Sequence, residues 1–186
     1  MKSLRLSQPH ALIMVGIPGS GKSHFAKKFS DTFNAPYVDL DSILPHAKDL
    51  QSAASLAQTQ LNELLRTRQS LLIELNTASR QSRVELARIV KEAGYAPLLV
   101  WVQTDQDTAR ARTSRDKSRP EGYFDGQIRS FSPPHEREKP HVISGKHTYA
   151  TQAKSVLMHL SNGKSSREQS SRPPERTPRH GSLKIQ

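Results

Sequence analysis

The apolar positions of this chain follow two alternating rhythms. Ala11–Val15, Ser70–Leu75 (interrupted by Glu74) and Pro97–Val102 are short apolar runs of strand length, composed like strands covered on both faces. Pro36–Asp41, which ends in acids, and His141–Ser144 read as two further short strands. Between the strands, apolar residues recur every three or four positions, the spacing of one helix face. Phe25, Ala26, Phe29 and Phe33 predict a first helix reaching about Phe33. Gln51 to Arg68 predicts a second, with Ala53, Leu56, Ala57, Leu61, Leu64 and Leu65 on its buried side, and Pro45 stops any helix that begins at Ser42.

Ser79 to Ala93 predicts a third helix. Ser82 and Glu85 have capping-box spacing, Leu86, Ile89, Val90 and Ala93 form the stripe, and Gly94 suits the position just past the end. After the fourth strand, Thr104 and Asp107 suit the cap of an arginine-rich helix that must stop around Ser118–Gly122. A short helix near Phe124–Phe131 comes next, Pro133-Pro134 forces an extended loop, and Tyr149, Ala153, Val156, Leu157 and Leu160 mark a last helix. Strands alternating with helices predict an α/β fold, with a five-stranded parallel sheet between two helical layers. Ligands of such sheets bind at the carboxyl ends of the strands. That rule singles out residues 16–23, Asp39 and Asp41, Glu74 to Thr77, and Gln103 to Asp105.

From Ser161 the apolar content collapses into Ser, Arg, Pro and Lys. The pattern therefore predicts one domain over 1–160 and a basic, disordered tail over 161–186. The net charge is +11, of which the tail carries +4 and residues 1–160 carry +7. A basic body favours anionic partners such as nucleotides, nucleic acid, phosphosugars or acidic membrane. There is no cysteine, which excludes disulfides, thiolate zinc sites and cysteine nucleophiles. No apolar run approaches the roughly 20 residues of a membrane span, and Met1–Pro9 lacks the apolar core of a signal peptide. The expectation is a cytoplasmic protein without membrane contact.

The most specific stretch is Gly16-Ile17-Pro18-Gly19-Ser20-Gly21-Lys22-Ser23, set between the first strand and the first helix. Glycine, four free positions and Gly-Lys-Ser in a strand–loop–helix context is the phosphate-binding P-loop. The glycines permit the backbone angles and close approaches that a phosphate cradle needs. Gly16 through Ser23, with His24 in the opening helix turn, then form the ATP-binding set. Lys22 reaches the β- and γ-phosphates, and the Ser23 hydroxyl ligates Mg²⁺.

Three further groups bear on chemistry. Asp41, past the second strand, is placed to orient an acceptor hydroxyl and take its proton; the other role open to it is capping a helix at Ser42. Asp39 shares its strand face and competes for the role. Glu74 ends the third strand, where P-loop proteins hold Mg²⁺ through an acid; pairing with an arginine such as Arg83 is the alternative. Asn76 and Thr77 follow within reach of a substrate. Arg112, Arg115 and Arg119 are spaced to share one helix face, with Arg110 turned away. They read as a lid over the nucleotide or as a solvated basic face.

The P-loop, Asp41, the stretch Leu72 to Thr77 followed by Arg80 or Arg83, and the arginine-rich lid resemble the polynucleotide-kinase-like and zeta-toxin-like group of P-loop kinases, predicted ATP-binding kinases of AAA type. Ala93-Gly94-Tyr95 before a strand, and the loop from Phe131-Ser132-Pro133-Pro134 to Glu136, are similar to polynucleotide kinase domains. The resemblance covers about residues 9–160. It implies strand order 2-3-1-4-5, ATP with Mg²⁺, Asp41 as the acceptor-activating acid, and Arg112 and Arg115 as lid arginines; Arg119, in the same row, is expected on the nucleotide from its spacing alone. Two departures stand out: Glu74 replaces an aspartate, and Thr113 follows Arg112 where the group has asparagine. The resulting expectation is a kinase acting on a hydroxyl-bearing anionic acceptor: a polynucleotide 5′-hydroxyl, a nucleotide-sugar or a small metabolite. The rival is an ATP-gated protein that binds nucleic acid through its basic surface and tail, with little transfer.

Overall fold

A computed structural model describes residue 6 and residues 8–168 of the chain. Five strands, β1 (His10–Val15), β2 (Tyr37–Asp39), β3 (Leu71–Glu74), β4 (Ala96–Gln103) and β5 (His141–Ser144), form one sheet. All neighbours are parallel and the order is β2-β3-β1-β4-β5, with Ala11 opposite Leu71 and Pro97, and Asp39 opposite Glu74. Helices α1 (Lys22–Phe33), α2 (Leu40–Ile43), α3 (Leu50–Arg66), α4 (Arg80–Glu92), α5 (Gln106–Thr113), α6 (Tyr123–Ser130) and α7 (Tyr149–Glu168) connect and flank the strands.

Side chains alternate across β1 and so divide the core in two. Leu12 and Met14 pack with Phe25, Phe29, Val156 and Leu160 under α1 and α7. Ala11, Ile13 and Val15 pack with Leu61, Leu65, Leu86 and Val90 under α3 and α4. The expected fold and strand order are those found. Gly94 follows α4 at φ +83°, the left-handed turn that ends a helix.

Several local expectations are corrected. Asp41 is not in a strand extending from Pro36: β2 stops at Asp39, whose carboxylate accepts the Asp41 N–H and caps α2. The α4 cap is Ser79, accepting from the Ser82 N–H, because the helix opens at Arg80. The α5 cap is Asp105, and Thr104 is used elsewhere. Leu56 is 51% exposed, because α3 turns the narrow i, i+4 row of Ala53, Ala57, Leu61 and Leu65 to the sheet.

The last helix runs through the domain boundary expected at 160, as far as Glu168. The rest of the expected tail, 169–186, with its proposed nucleic-acid contact, lies outside the described residues. Among the described residues no helix is long and apolar enough to cross a membrane.

Candidate active site

The site is assembled at the carboxyl ends of β1, β2 and β3. After β1 the chain takes φ values of +151° at Gly16, +72° at Gly19 and +105° at Gly21. A side chain at Gly16 would meet the Val102 carbonyl at 2.6 Å, and one at Gly19 would run into the backbone of Ala109. Glycine is therefore required at both.

The loop carbonyls are tied down from within the loop and from outside it. Ile17 O accepts the Ser20 N–H at 3.2 Å and Lys22 Nζ at 3.1 Å. Gly19 O accepts Arg112 at 3.3 Å, and Ser20 O accepts the Thr104 hydroxyl at 3.0 Å. The Arg112 nitrogen that reaches Gly19 also donates to Gly145 O at 3.1 Å, joining the loop to the end of β5. The start of α1, by contrast, has no side-chain cap. Its first N–H groups lack intrahelical partners, and an anion fits there. Ser20 Oγ is buried without a hydrogen-bond partner. A glycine cradle, uncapped N–H groups and an orphaned hydroxyl together suit a phosphate chain.

Beside the cradle lies a cluster of charge. Glu74 Oε1 accepts from Ser23 Oγ at 2.9 Å and faces Lys22 Nζ at 3.9 Å; Glu74 Oε2 accepts from the Tyr37 hydroxyl at 2.6 Å. Burial lowers the Lys22 ammonium pKa, while the carboxylates of Glu74 and then Asp41 pull it back up. Burial first, and the Glu74 charge next, push the Tyr37 phenol upward, so it stays a neutral donor. The same two causes raise the Asp39 carboxyl, which is buried against its own helix cap. The Ser23 hydroxyl and Glu74 carboxylate are hard oxygen donors of the kind Mg²⁺ takes, so the residues fit that ion.

Asp41 sits in the first turn of α2 with its side chain 48% exposed, gripped at two points by the Arg119 guanidinium. Arg119 is also 3.4 Å from Asp116 and lies over the Tyr123 ring at 4.9 Å. The hydrogen bond to Asp41 raises the Arg119 pKa further. Of the two acids competing by sequence, Asp39 is spent on a cap and Asp41 faces outward.

The arginine row is corrected. Arg112, Arg115 and Arg119 do not share a helix face, because α5 stops at Thr113. The hydroxyls of Thr113 and Ser114 bond back to Ala109 O and Arg110 O, and Asp116 takes the Ser118 N–H and hydroxyl, so the chain turns. Arg112 ends as a clamp on the P-loop, Arg115 lies exposed in the turn, and Arg119 reaches Asp41. Arg110 does face away, pairing with Asp125 and stacking on Phe124.

Arg83 does not pair with Glu74. It is 1% exposed, bidentate to Glu138 at 2.8 and 3.0 Å, and donates to Thr77 O, Ala78 O and Ser132 O. It thereby fixes the loop before β5. Thr77 is taken by Met14 O. His24 is exposed in the first turn of α1. Sequence reasoning placed Thr104 among the strand-end residues, and it does reach the P-loop; Tyr37 and Tyr123 were missed as site residues. The only available signal was that Tyr37 lies two residues before Asp39 on one strand face.

On the other side of Ile17 opens a cleft of about 540 Å³, lined by Trp101, Gln103, Gln106, Phe131 and Lys146 among others.

Solved structures share the architecture. A gluconokinase from Sinorhizobium meliloti 1021 matches with a TM-score of 0.66 at 14% identity, covering 90% of this chain and 100% of that one. A sugar kinase from Janibacter sp. HTCC2649 gives 0.59 at 15%, covering 83% and 95%. A putative kinase from Chloroflexus aurantiacus j-10-fl gives 0.60 at 13%, covering 84% and 98%. These likenesses establish a P-loop kinase fold and do not reach the narrower polynucleotide-kinase-like or zeta-toxin-like group. No curated protein sequence matches. The AAA domain family model matches residues 12–134, more than half of the chain, and the chain belongs to that family.

Proposed function

We propose that this protein is an ATP-dependent kinase that transfers the γ-phosphate to a hydroxyl of a small anionic acceptor. The observation that carries the reading is the convergence of Lys22, Ser23 and Glu74 on the mouth of the P-loop, with Asp41 across from them. In this reading residues 16–24 bind the phosphates of ATP, and Ser23 with Glu74 holds Mg²⁺. The ion supplies charge neutralisation on the β- and γ-phosphates when bound.

Asp41 orients the acceptor hydroxyl and takes its proton as the acceptor oxygen bonds to phosphorus. The bond from phosphorus to the leaving ADP oxygen breaks, with Lys22 countering the charge. Arg119 must release Asp41 for this, and a phosphate arriving at the P-loop offers it another partner. Arg115 is the lid arginine that adds charge at the phosphoryl group, while Arg112 keeps the loop in shape. A gluconokinase and a sugar kinase among the similar structures favour a sugar-like acceptor.

The test is phosphate transfer from labelled ATP with Mg²⁺ into separate pools of sugars and sugar acids, nucleotide-sugars, and 5′-hydroxyl oligonucleotides, with Lys22→Ala as blank. Label in the sugar pool is expected. Label in another pool moves the acceptor class, and label in none overturns the kinase reading. Asp41→Asn is expected to keep nucleotide affinity within a few-fold and lose transfer by about 10²–10⁴. Retained transfer would remove Asp41 from its role.

A further inference from the structure

The carboxylate at the end of β3 is a glutamate, one methylene longer than the aspartate of the usual P-loop arrangement. The extra rotatable bond gives the carboxylate more positions to occupy and a larger entropy to lose on being fixed. In this structure both of its oxygens are committed. Oε1 faces Ser23 Oγ at 2.9 Å and Lys22 Nζ at 3.9 Å, while Oε2 accepts the Tyr37 hydroxyl at 2.6 Å. A neutral donor on a carboxylate at that distance is a charge-assisted bond, stronger and more directional than a neutral pair.

Tyr37 is itself anchored. It opens β2 opposite Leu72, and its ring packs against the core beneath α1. From there the phenol reaches along the sheet surface to Glu74, which lies opposite Asp39, two residues further on.

We propose that Tyr37 is a positioning residue for Glu74. Its hydroxyl holds the far oxygen so that the near oxygen is presented to Ser23 and to a divalent cation accompanying the nucleotide. The proposal rests on the reading of Ser23 and Glu74 as the metal-holding pair. Tyr37 touches no substrate. It acts as the outer partner that orients a ligand, a kind of contact whose loss ordinarily costs about 10–100-fold in metal affinity.

Tyr37→Phe removes the hydroxyl and leaves the ring in the core. The readout is ADP affinity by calorimetry, measured in excess Mg²⁺ and again in EDTA, supported by Mn²⁺ binding to the ADP complex by electron paramagnetic resonance. In Tyr37→Phe the EDTA affinity and the melting temperature are expected to stay near the parent's. The tightening conferred by the metal, and the Mn²⁺ affinity, are expected to fall about tenfold.

The second arm is Glu74→Asp. Its shorter side chain draws the carboxylate away from the phenol, so adding Tyr37→Phe to it is expected to change metal binding no further. A merely structural tyrosine would lower the melting temperature and both affinities alike. If Tyr37→Phe keeps the parent's metal dependence, the positioning role is overturned while the Ser23–Glu74 reading stands. If the parent protein itself shows no metal dependence, the Ser23–Glu74 reading fails and takes this one with it. Neither result depends on the acceptor.

Discussion

The two halves of the site are built from different materials. The phosphate cradle is made of backbone: three left-handed glycines, carbonyls held by Thr104 and Arg112, and neighbouring chain packed so closely that Gly16 and Gly19 have no room for a methyl group. The half facing the proposed acceptor is made of side chains at the surface. Asp41 pairs with Arg119, and Arg110 with Asp125, across a lid whose turn is defined by Asp116 and Ser118. A backbone cradle is shaped before its ligand arrives. Exposed ion pairs are weak and exchange partners at little cost. The phosphate cradle is thus pre-formed, and the half proposed to face the acceptor is suited to rearrange.

A pair of glycines breaks this comparison open, and the largest effect is expected there. Gly19 and Gly122 have nearly the same φ, +72° and +73°, but Gly122 has nothing within 4 Å of the position a methyl would take. Both substitutions to alanine carry the left-handed strain of about 1–3 kcal/mol. Only Gly19→Ala adds a collision with the Ala109 backbone. ATP affinity is expected to fall by more than tenfold in Gly19→Ala and to stay within about threefold in Gly122→Ala, measured by calorimetry. Equal losses in the two would mean that the cradle is no more rigid than the lid.

The same division governs what could be read from the sequence. The P-loop was legible because its requirements are local: glycine where φ is positive, an apolar strand before it and an amphipathic helix after it. β1, β3, β4 and β5 and the helix ending at Phe33 were legible for the same reason. The strand order came only through resemblance.

What was not legible depends on competition between partners far apart in sequence. The sequence offered Glu74 as a partner for Arg83, and only the packed loop before β5 brings Glu138 to it instead. Arg112, Arg115 and Arg119 formed a row on paper. Hydroxyls at Thr113 and Ser114 turning back on the helix, followed by Asp116 capping a turn, split that row among three places. Asp41 was preferred to Asp39 only as the acid nearer the strand end; that β2 stops at Asp39 and spends it on the α2 cap depends on the fold.

A smaller effect is expected at the contact that links the halves. Arg119→Gln removes the charge that grips Asp41 and keeps a side chain able to lie on Tyr123. If Arg119 serves only as a latch, transfer rises or is unchanged and the acceptor KM falls. If it also moves to the phosphates, kcat falls by about tenfold or more while nucleotide affinity changes less. A kcat and KM series over ATP and acceptor separates the two. An unaltered kcat, KM and nucleotide affinity would show that the pair is an idle surface contact.

The smallest expected effect is on stability as pH falls, and it distinguishes the sheet edge at the start of β5 from the lid. His141 opens β5, with its ring Nε2 3.0 Å from Ser155 Oγ and the ring 4.6 Å from that of His159 on α7. Burial first, and His159 next, lower the His141 pKa below its ordinary 6.5. The folded chain therefore keeps this ring neutral where the unfolded chain has begun to bind a proton. Stability from this source is complete above about pH 6.5 and drains away as pH falls through the lower, folded value. The lid pair behaves differently. The Arg110 hydrogen bond holds the Asp125 carboxyl below its usual 3.8, so that contact survives until the solution is far more acidic. Melting temperatures taken between pH 7.5 and 5 are thus expected to fall less in His141→Asn than in the parent, with Asp125→Asn following the parent's slope over the same range. The opposite pattern, a slope that follows Asp125 and ignores His141, would place the acid-sensitive contacts in the lid and the acid-resistant ones at the start of β5.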